Sequence, residues 1–156
     1  MCLLIDSCSL SVVFNNRNSK HKEFEPVYKF INEGKGTLVY GGTRYLAELA
    51  KAERYLKLFI EFTKSQKARL LNKAAVDAAE QEVRALAAKK GFNDPHIVAI
   101  VRVAHCRLVC TSDSASIPFL KDKALYPKGA KRPKIYCGLA QRRLLRDREV
   151  TGCCPK

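Results

Sequence analysis

Short apolar runs along this chain alternate with longer stretches in which apolar residues recur every three or four positions. Cys2–Ile5, Thr37–Tyr40 and residues 108–111 are compact apolar runs bounded by turn-forming or polar residues, which is typical of buried strands. The intervening spacing is typical of helices that bury one face. Strands alternating with helices predict a three-layer α/β/α fold around a mostly parallel central sheet.

The later part of the chain adds more elements. The periodicity around Phe59 and again around Val83 predicts two consecutive helices that form a helical hairpin. Asp94-Pro95 predicts the start of another helix, because proline at the first helical position loses nothing by lacking an N–H. That helix is apolar nearly all round, so we expect it to be central and buried. Residues 134–137 predict a last short strand.

Length and charge limit the interpretation. The 156 residues fit one domain, which we place at residues 1–137, followed by a basic C-terminal tail at 138–156. Twenty-nine Lys and Arg against fifteen Asp and Glu give a formal charge of +14. This charge favours a polyanionic partner such as RNA, although an acidic protein or an anionic membrane surface also attracts a basic chain.

The chain carries no sign of membrane insertion or secretion. No apolar run approaches the roughly 18 residues of a membrane helix. The apolar start stops at Asp6 without the leading positive charge of a signal peptide. Seven cysteines without such a signal predict reduced thiols and a cytoplasmic location, and they lack the paired C-x-x-C spacing of a zinc site.

Four acidic residues lie where a predicted strand ends or in the helix that follows it. They are Asp6, Glu48, Asp94 and Asp113. Ligands of open α/β sheets bind beyond the carboxyl ends of the parallel strands, so these acids can converge. Massed carboxylates repel unless a cation neutralises them, and oxygen-only ligand sets suit Mg²⁺ or Mn²⁺. The pattern predicts a metal site that acts on a phosphodiester.

Each acid also has a purely structural explanation. Asp6 and Asp94 stand at helix starts and can act as caps. Glu48 is explained as a solvated surface residue, and Asp113 as a turn acid bonded to its own backbone. The joint pattern favours the metal site, because scattered surface acids would not fall so regularly at strand ends. His96 and His105 lie too far apart on one predicted helix to form a pair.

With these four acids and their neighbours, the sequence resembles the PIN-domain nucleases, especially the small VapC-type toxins of toxin–antitoxin pairs. The resemblance spans residues 2–120. Its motifs are Leu-Leu-Ile-Asp-Ser-Cys at 3–8, Glu48 in the matching helix, Asp-Pro-His-Ile-Val-Ala at 94–99, and Leu-Val-Cys-Thr-Ser-Asp at 108–113. Many family members have a further acid two residues beyond the last one, whereas Ala115 stands there.

The resemblance implies a PIN-like domain and a metal-dependent endoribonuclease in which all four acids are catalytic. Asp6, Asp94 and Asp113 are expected to hold the metal, with Glu48 around it or at a second ion. Hydrogen bonds to the metal's ligands or to phosphate are expected from Thr43, Thr111 and Ser112. The resemblance also implies a toxin or RNA-processing role, a homodimer and an antitoxin partner.

Cations concentrated after residue 120 predict an arm that grips phosphate groups. The expected RNA-binding residues are Arg44, Lys128, Lys131, Arg132, Lys134, Arg142 and Arg143. Tyr126 and Tyr136 are expected to stack on unpaired bases. A solvated basic tail or an antitoxin-docking segment explains the same charges. A non-catalytic nucleic-acid-binding or protein-interaction module, and DNA as the substrate, also remain open.

Overall fold

Five short parallel strands form the centre of the structure, a computed structural model that describes residues 2–88 and 90–151. The strands are β1 Cys2–Ile5, β2 Thr37–Tyr40, β3 Ala68–Leu70, β4 Leu108–Cys110 and β5 Lys134–Tyr136. Their order across the sheet is β3-β2-β1-β4-β5, and every neighbouring pair is parallel. All five strands therefore end at one edge of the sheet, the carboxyl edge, which confirms the predicted parallel architecture.

Helices cover both faces of this sheet and complete the three predicted layers. The α-helices are α1 Leu10–Phe14, α2 His21–Asn32, α3 Thr43–Ala50, α4 Glu53–Lys64, α5 Lys73–Ala87, α6 Pro95–Ala104, α7 Ile117–Leu120 and α8 Arg148–Thr151. Short 3-10 helices occupy Ser7–Ser9, Lys123–Leu125 and Leu139–Arg146. None of the helices in the described ranges is both long and apolar enough to cross a membrane.

Helix α6 is the central helix that the sequence predicts. Its side chains from Pro95 to Val101 are all buried, and Ala104 is buried as well. Each large aliphatic side chain buried there contributes roughly 1.5–3 kcal/mol relative to an exposed one. The helix packs against α5 and contacts α3, so it holds its N-terminal turn rigidly beside the carboxyl edge.

The predicted helical hairpin is wrong, because strand β3 lies between α4 and α5. β3 pairs with β2 through Leu38–Ala68, Val39–Arg69 and Tyr40–Leu70. Its pattern gives little sign of a strand, since it has three residues, contains Arg69 and leaves Leu70 50% exposed. Only hydrogen bonding to β2 makes these residues an edge strand.

The C-terminal region is regular for part of its length. The 3-10 helix Leu139–Arg146 contacts α2 and β5, and it buries Leu145. The Tyr136 hydroxyl donates to the Glu23 carbonyl (2.9 Å), which ties β5 to α2. The boundary at residue 137 stays a prediction, and residues 152–156 of the predicted tail lie outside the described residues.

One cysteine departs from the expected chemistry. Cys2 is disulfide-bonded, so the prediction that all seven cysteines are reduced thiols is wrong at this position. Cys8, Cys106, Cys110 and Cys137 are free.

Candidate metal centre

The carboxyl edge brings residues from distant parts of the chain together. Asp6 follows β1, Asp113 follows the neighbouring strand β4, and Asp94 directly precedes α6. The Asp6 amide donates to the Cys110 carbonyl (2.9 Å), which extends the β1–β4 ladder to the first acid. The local geometry therefore follows from strand pairing and from the buried start of α6.

Glu48, Asp94 and His96 form the closest group of metal-type ligands in the described part of the chain. One ligand atom from each residue lies within 4.8 Å of the others. Glu48 comes from α3, whereas Asp94 and His96 come from the start of α6. Two carboxylates and an imidazole at this spacing can hold a divalent metal ion.

His96 is the residue that sequence reasoning missed. Its side chain is only 1% exposed, and its Nε2 lies 3.2 Å from Glu48 Oε2. The contact lacks hydrogen-bond geometry, so neither ring nitrogen has a hydrogen-bond partner among the described residues. Burial lowers the pKa of His96, although the Glu48 charge opposes this shift. A neutral buried imidazole with unsatisfied nitrogens is the form that binds a metal.

A signal for His96 was present in the sequence. It stands two positions after Asp94 in the first turn of α6, where side chains surround the same helix end. The oxygen-only ligand set expected from the four acids is therefore incomplete as a description of this group.

Glu48 is contacted by Ser7, Arg44 and His96. The Ser7 hydroxyl donates to Oε2 (2.6 Å), and Arg44 Nε lies 3.4 Å from Oε1 on the same helix. Burial opposes the charged carboxylate, but the Ser7 hydrogen bond, the electrostatic effect of His96 and the Arg44 charge outweigh it, so the pKa of Glu48 is lowered. Glu48 is thus a fixed, ionised carboxylate rather than a solvated surface residue.

Asp94 occupies the N-cap position of α6 without acting as a cap. Its side chain makes no capping hydrogen bond. Burial raises the pKa of Asp94, and the charges of Asp6 and Glu48 raise it further, while His96 and Arg44 oppose the shift. The capping explanation therefore fails, and the carboxylate is left in a position that a bound cation would stabilise.

Asp6 lies beside this group but outside it. It is 4% exposed, and the Thr111 hydroxyl donates to its Oδ2 (2.9 Å). Burial raises the pKa of Asp6, with hydrogen bonds from Thr111 and Cys8 opposing the shift. The charge of Asp113 also raises the pKa of Asp6, which shows that the two carboxylates repel each other at the carboxyl edge.

Asp113 serves the turn after β4. Its Oδ1 accepts from the Ala115 amide (2.9 Å), as the structural explanation of this acid requires. Its own amide donates to Thr111 Oγ1 (3.0 Å), which aligns Thr111 toward Asp6. Of the three expected metal-holding residues, only Asp94 belongs to the close group, and Glu48 joins it there.

The other expected supporting residues differ in position. Ser112 bonds with Ser9, its amide donating to the Ser9 hydroxyl (2.7 Å), and so joins the chain after β4 to that after β1. Thr43 donates through both its amide and its hydroxyl to Asp77 (2.7 and 2.6 Å), so it supports the start of α3 rather than a metal-type ligand.

The expected RNA-binding cations fall in separate places. Arg44 lines the candidate metal centre, and Arg142 and Arg143 lie exposed in the 3-10 helix after β5. Lys128, Lys131, Arg132 and Lys134 precede or begin β5, which places them at the opposite, amino edge of the sheet.

The expected base-stacking tyrosines are unavailable. Tyr126 is 8% exposed and donates to the Leu120 carbonyl (2.8 Å), and Tyr136 is fully buried against Phe24. The stacking prediction is wrong, because both rings belong to the core.

Comparison with known proteins adds no assignment. No protein-family model matches the chain, and no curated protein sequence matches it. The resemblance to the PIN-domain nucleases therefore stays a prediction from the sequence motifs.

Proposed function

We propose that this protein is a metal-dependent endoribonuclease of the PIN type. One observation carries the proposal: Glu48, Asp94 and the buried His96 gather within 4.8 Å at the carboxyl edge of a parallel sheet. In open α/β folds this edge is where ligands bind. The high positive charge of the chain supports a nucleic-acid substrate.

The ligand chemistry favours Mn²⁺ over Mg²⁺. The unpaired nitrogens of His96 fit a metal ion, which would be held by His96, Asp94 and Glu48. An imidazole suits transition metals, whereas Mg²⁺ prefers oxygen ligands and retained water. A bound divalent ion supplies a polarised water and neutralises charge on the phosphate.

The surrounding side chains prepare the site for a phosphodiester. Ser7 fixes the rotamer of Glu48, and Thr111 fixes that of Asp6. Arg44 has a side chain that is 37% exposed beside Glu48, so its guanidinium can meet an incoming phosphate group. Asp6 adds negative charge next to Asp94, which strengthens attraction for a cation.

The proposal is tested with labelled single-stranded RNA, incubated with Mn²⁺, with Mg²⁺ and with EDTA. We expect cleavage with Mn²⁺, weaker cleavage with Mg²⁺ and none with EDTA. Asp94→Asn and Glu48→Gln should abolish cleavage, whereas Asp77→Asn, an acid outside the group, should retain it. Matched DNA distinguishes a ribonuclease from a nuclease of either polymer. Full activity in EDTA or in Asp94→Asn would refute the proposal.

A non-catalytic nucleic-acid-binding or interaction module is the second candidate. It is favoured by Glu48, whose two carboxylate oxygens already contact Ser7 and Arg44. In that case RNA binds but is not cleaved with any divalent ion, and Mn²⁺ leaves the melting temperature unchanged.

The proposal includes the toxin role that the resemblance implies, with a homodimer and an antitoxin partner in the cytoplasm. Induced expression of wild-type protein should arrest growth, and Asp94→Asn should relieve the arrest. Light scattering of the purified protein tests the dimer. A wild-type protein that is harmless while its nuclease activity is intact would remove the toxin role alone.

A further inference from the structure

A strongly basic groove lies away from the candidate metal centre. It has a volume of about 740 Å³ and is formed by the 3-10 helix Lys123–Leu125, the loop 126–133 and the start of β5. Among the residues that the structure describes, six cations and no acid line it: Lys121, Lys123, Lys128, Lys131, Arg132 and Lys134. We refer to it as the amino-edge groove.

The groove and the candidate metal centre are at opposite ends of the strands. Lys134 begins β5, and its amide donates to the carbonyl of Arg107, which precedes β4 (2.7 Å). Asp6 and Asp113, in contrast, follow the last residues of β1 and β4. Because all strands are parallel, a single phosphate group in the groove is separated from the carboxyl edge by the length of the strands.

The charges of the groove are not neutralised by the protein itself. Within the described ranges, none of its six cations forms an ion pair. The one acid in this stretch of sequence, Asp122, is held by the Lys90 ammonium and by the Ala124 amide (2.9 Å). The groove therefore offers concentrated positive charge to an external anion.

The backbone holds this charge in a fixed shape. Arg132 Nη1 donates to the Lys121 carbonyl (2.8 Å), and the Ala130 amide donates to the Pro127 carbonyl (2.9 Å). Gly129 takes a positive φ of 84° that lets the loop turn there. A loop shaped before binding loses less conformational entropy when it takes a ligand.

A second cavity extends the basic surface. It has a volume of about 460 Å³, shares Lys131 with the groove, and is also lined by Arg107 and by Arg102, whose charge is paired with Glu82. The two cavities together provide a track longer than one phosphate group needs.

We propose that the amino-edge groove is an accessory site for the phosphate backbone of single-stranded RNA, separate from the centre that cleaves it. RNA as the ligand rests on the proposed function. Tyr126, the one aromatic ring that lines the groove in the described part of the chain, is buried, so the site contacts phosphates without stacking on bases. Its uncharged exposed lining is small, with Ala130 and Pro127, and lacks the large apolar anchors of protein interfaces.

The test measures binding of a labelled oligouridylate of about 15 nucleotides to the full chain in EDTA, where metal-dependent cleavage is absent. The groove variant is Lys123→Glu, Lys128→Glu and Lys131→Glu, three exposed lysines without a side-chain partner among the described residues. The control variant is Lys20→Glu, Lys22→Glu and Lys51→Glu, which changes the net charge equally elsewhere on the surface.

We expect the groove variant to weaken binding about tenfold or more, and the control variant to have a much smaller effect. The plot of log affinity against log salt concentration should become less steep by about 2 units in the groove variant, because three phosphate contacts are lost. The corresponding Lys→Gln variant should show the same direction of change with a smaller charge perturbation. Circular dichroism checks that each variant is folded.

Equal weakening by both variants would show an effect of net charge alone and would overturn the proposal. Polyglutamate that binds as tightly as the oligouridylate, through the same lysines, would overturn RNA as the ligand in favour of an acidic protein. Groove-dependent binding without any cleavage in Mn²⁺ would sink the nuclease proposal while supporting the groove.

Discussion

Replacing Asp94 by Asn should stabilise the metal-free protein and remove its response to metal. Asp94 sits at the N-cap of α6 but makes no capping hydrogen bond, so the amide loses no such contact. The side chain instead lies within 4.8 Å of a Glu48 carboxylate oxygen. Burial raises the pKa of Asp94, which means that the charged carboxylate is less favourable in the folded protein than in the unfolded chain.

The size of the effect follows from the charge separation. Two unit charges at this spacing repel by about 3 kcal/mol at an effective dielectric constant near 20. His96, Arg44 and solvent reduce that repulsion, and we expect a net gain of roughly 1 kcal/mol for Asp94→Asn without metal. For a chain of this length, such a gain raises the melting temperature by about 2–4 °C.

Metal should stabilise the wild-type protein and have little effect on Asp94→Asn. A ligand at 100 times its dissociation constant stabilises the folded state by about 2.7 kcal/mol, so Mn²⁺ should raise the melting temperature of wild type by roughly 5–10 °C. Asp94→Asn should show little or no shift, because one of the three ligands is lost. Thermal denaturation followed by circular dichroism over a Mn²⁺ titration measures both quantities.

Asp77→Asn is the matched control. Asp77 accepts from both the amide and the hydroxyl of Thr43, so its loss should lower stability by up to about 1 kcal/mol while the Mn²⁺ shift persists. If Asp94→Asn instead destabilised the metal-free protein and kept the full Mn²⁺ shift, Asp94 would be a structural cap, and the assigned metal centre would be wrong.

Three further predictions concern the scaffold and the thiols. Gly42→Ala should lower the unfolding free energy measured by chemical denaturation by about 2 kcal/mol or more, because φ is 81° and the new Cβ would lie 2.5 Å from a valine methyl of α5. Gly34→Ala, at φ 72° with open space around it, should lower it by about 1 kcal/mol. Equal losses would contradict the steric explanation. Tyr45→Phe should lower the unfolding free energy by about 1 kcal/mol, because its buried hydroxyl donates to the last carbonyl of β1 (2.7 Å), and an unchanged denaturation midpoint would contradict that. Iodoacetamide should alkylate the exposed Cys137 but spare Cys106, whose pKa burial raises to about 11; peptide mapping that finds both labelled in native protein would disprove the burial.

Apolar patterning along the chain was enough to locate the core strands β1 and β2. Compact apolar runs gave the bounds of β1 and β2, and Asp94-Pro95 marked the start of the buried helix α6. These elements can be predicted because a fully buried segment is apolar at nearly every position. Strand β3 was not predicted, because a three-residue edge strand depends on hydrogen bonding to β2. Backbone hydrogen bonds of this kind produce no periodic pattern of apolar residues in the sequence.

Some residues of the candidate metal centre could be selected from the sequence, and others could not. The sequence selected Glu48 and Asp94 as candidate site residues, but neither lies at a strand end, because Glu48 is within α3 and Asp94 follows α5. The folded structure was needed to show that His96 lies beside them, that Asp113 accepts a hydrogen bond in a turn, and that the basic loop around Lys128 lies at the amino edge. Local patterns record which residues are buried, whereas the direction of a polar side chain depends on neighbours that lie far away in the sequence.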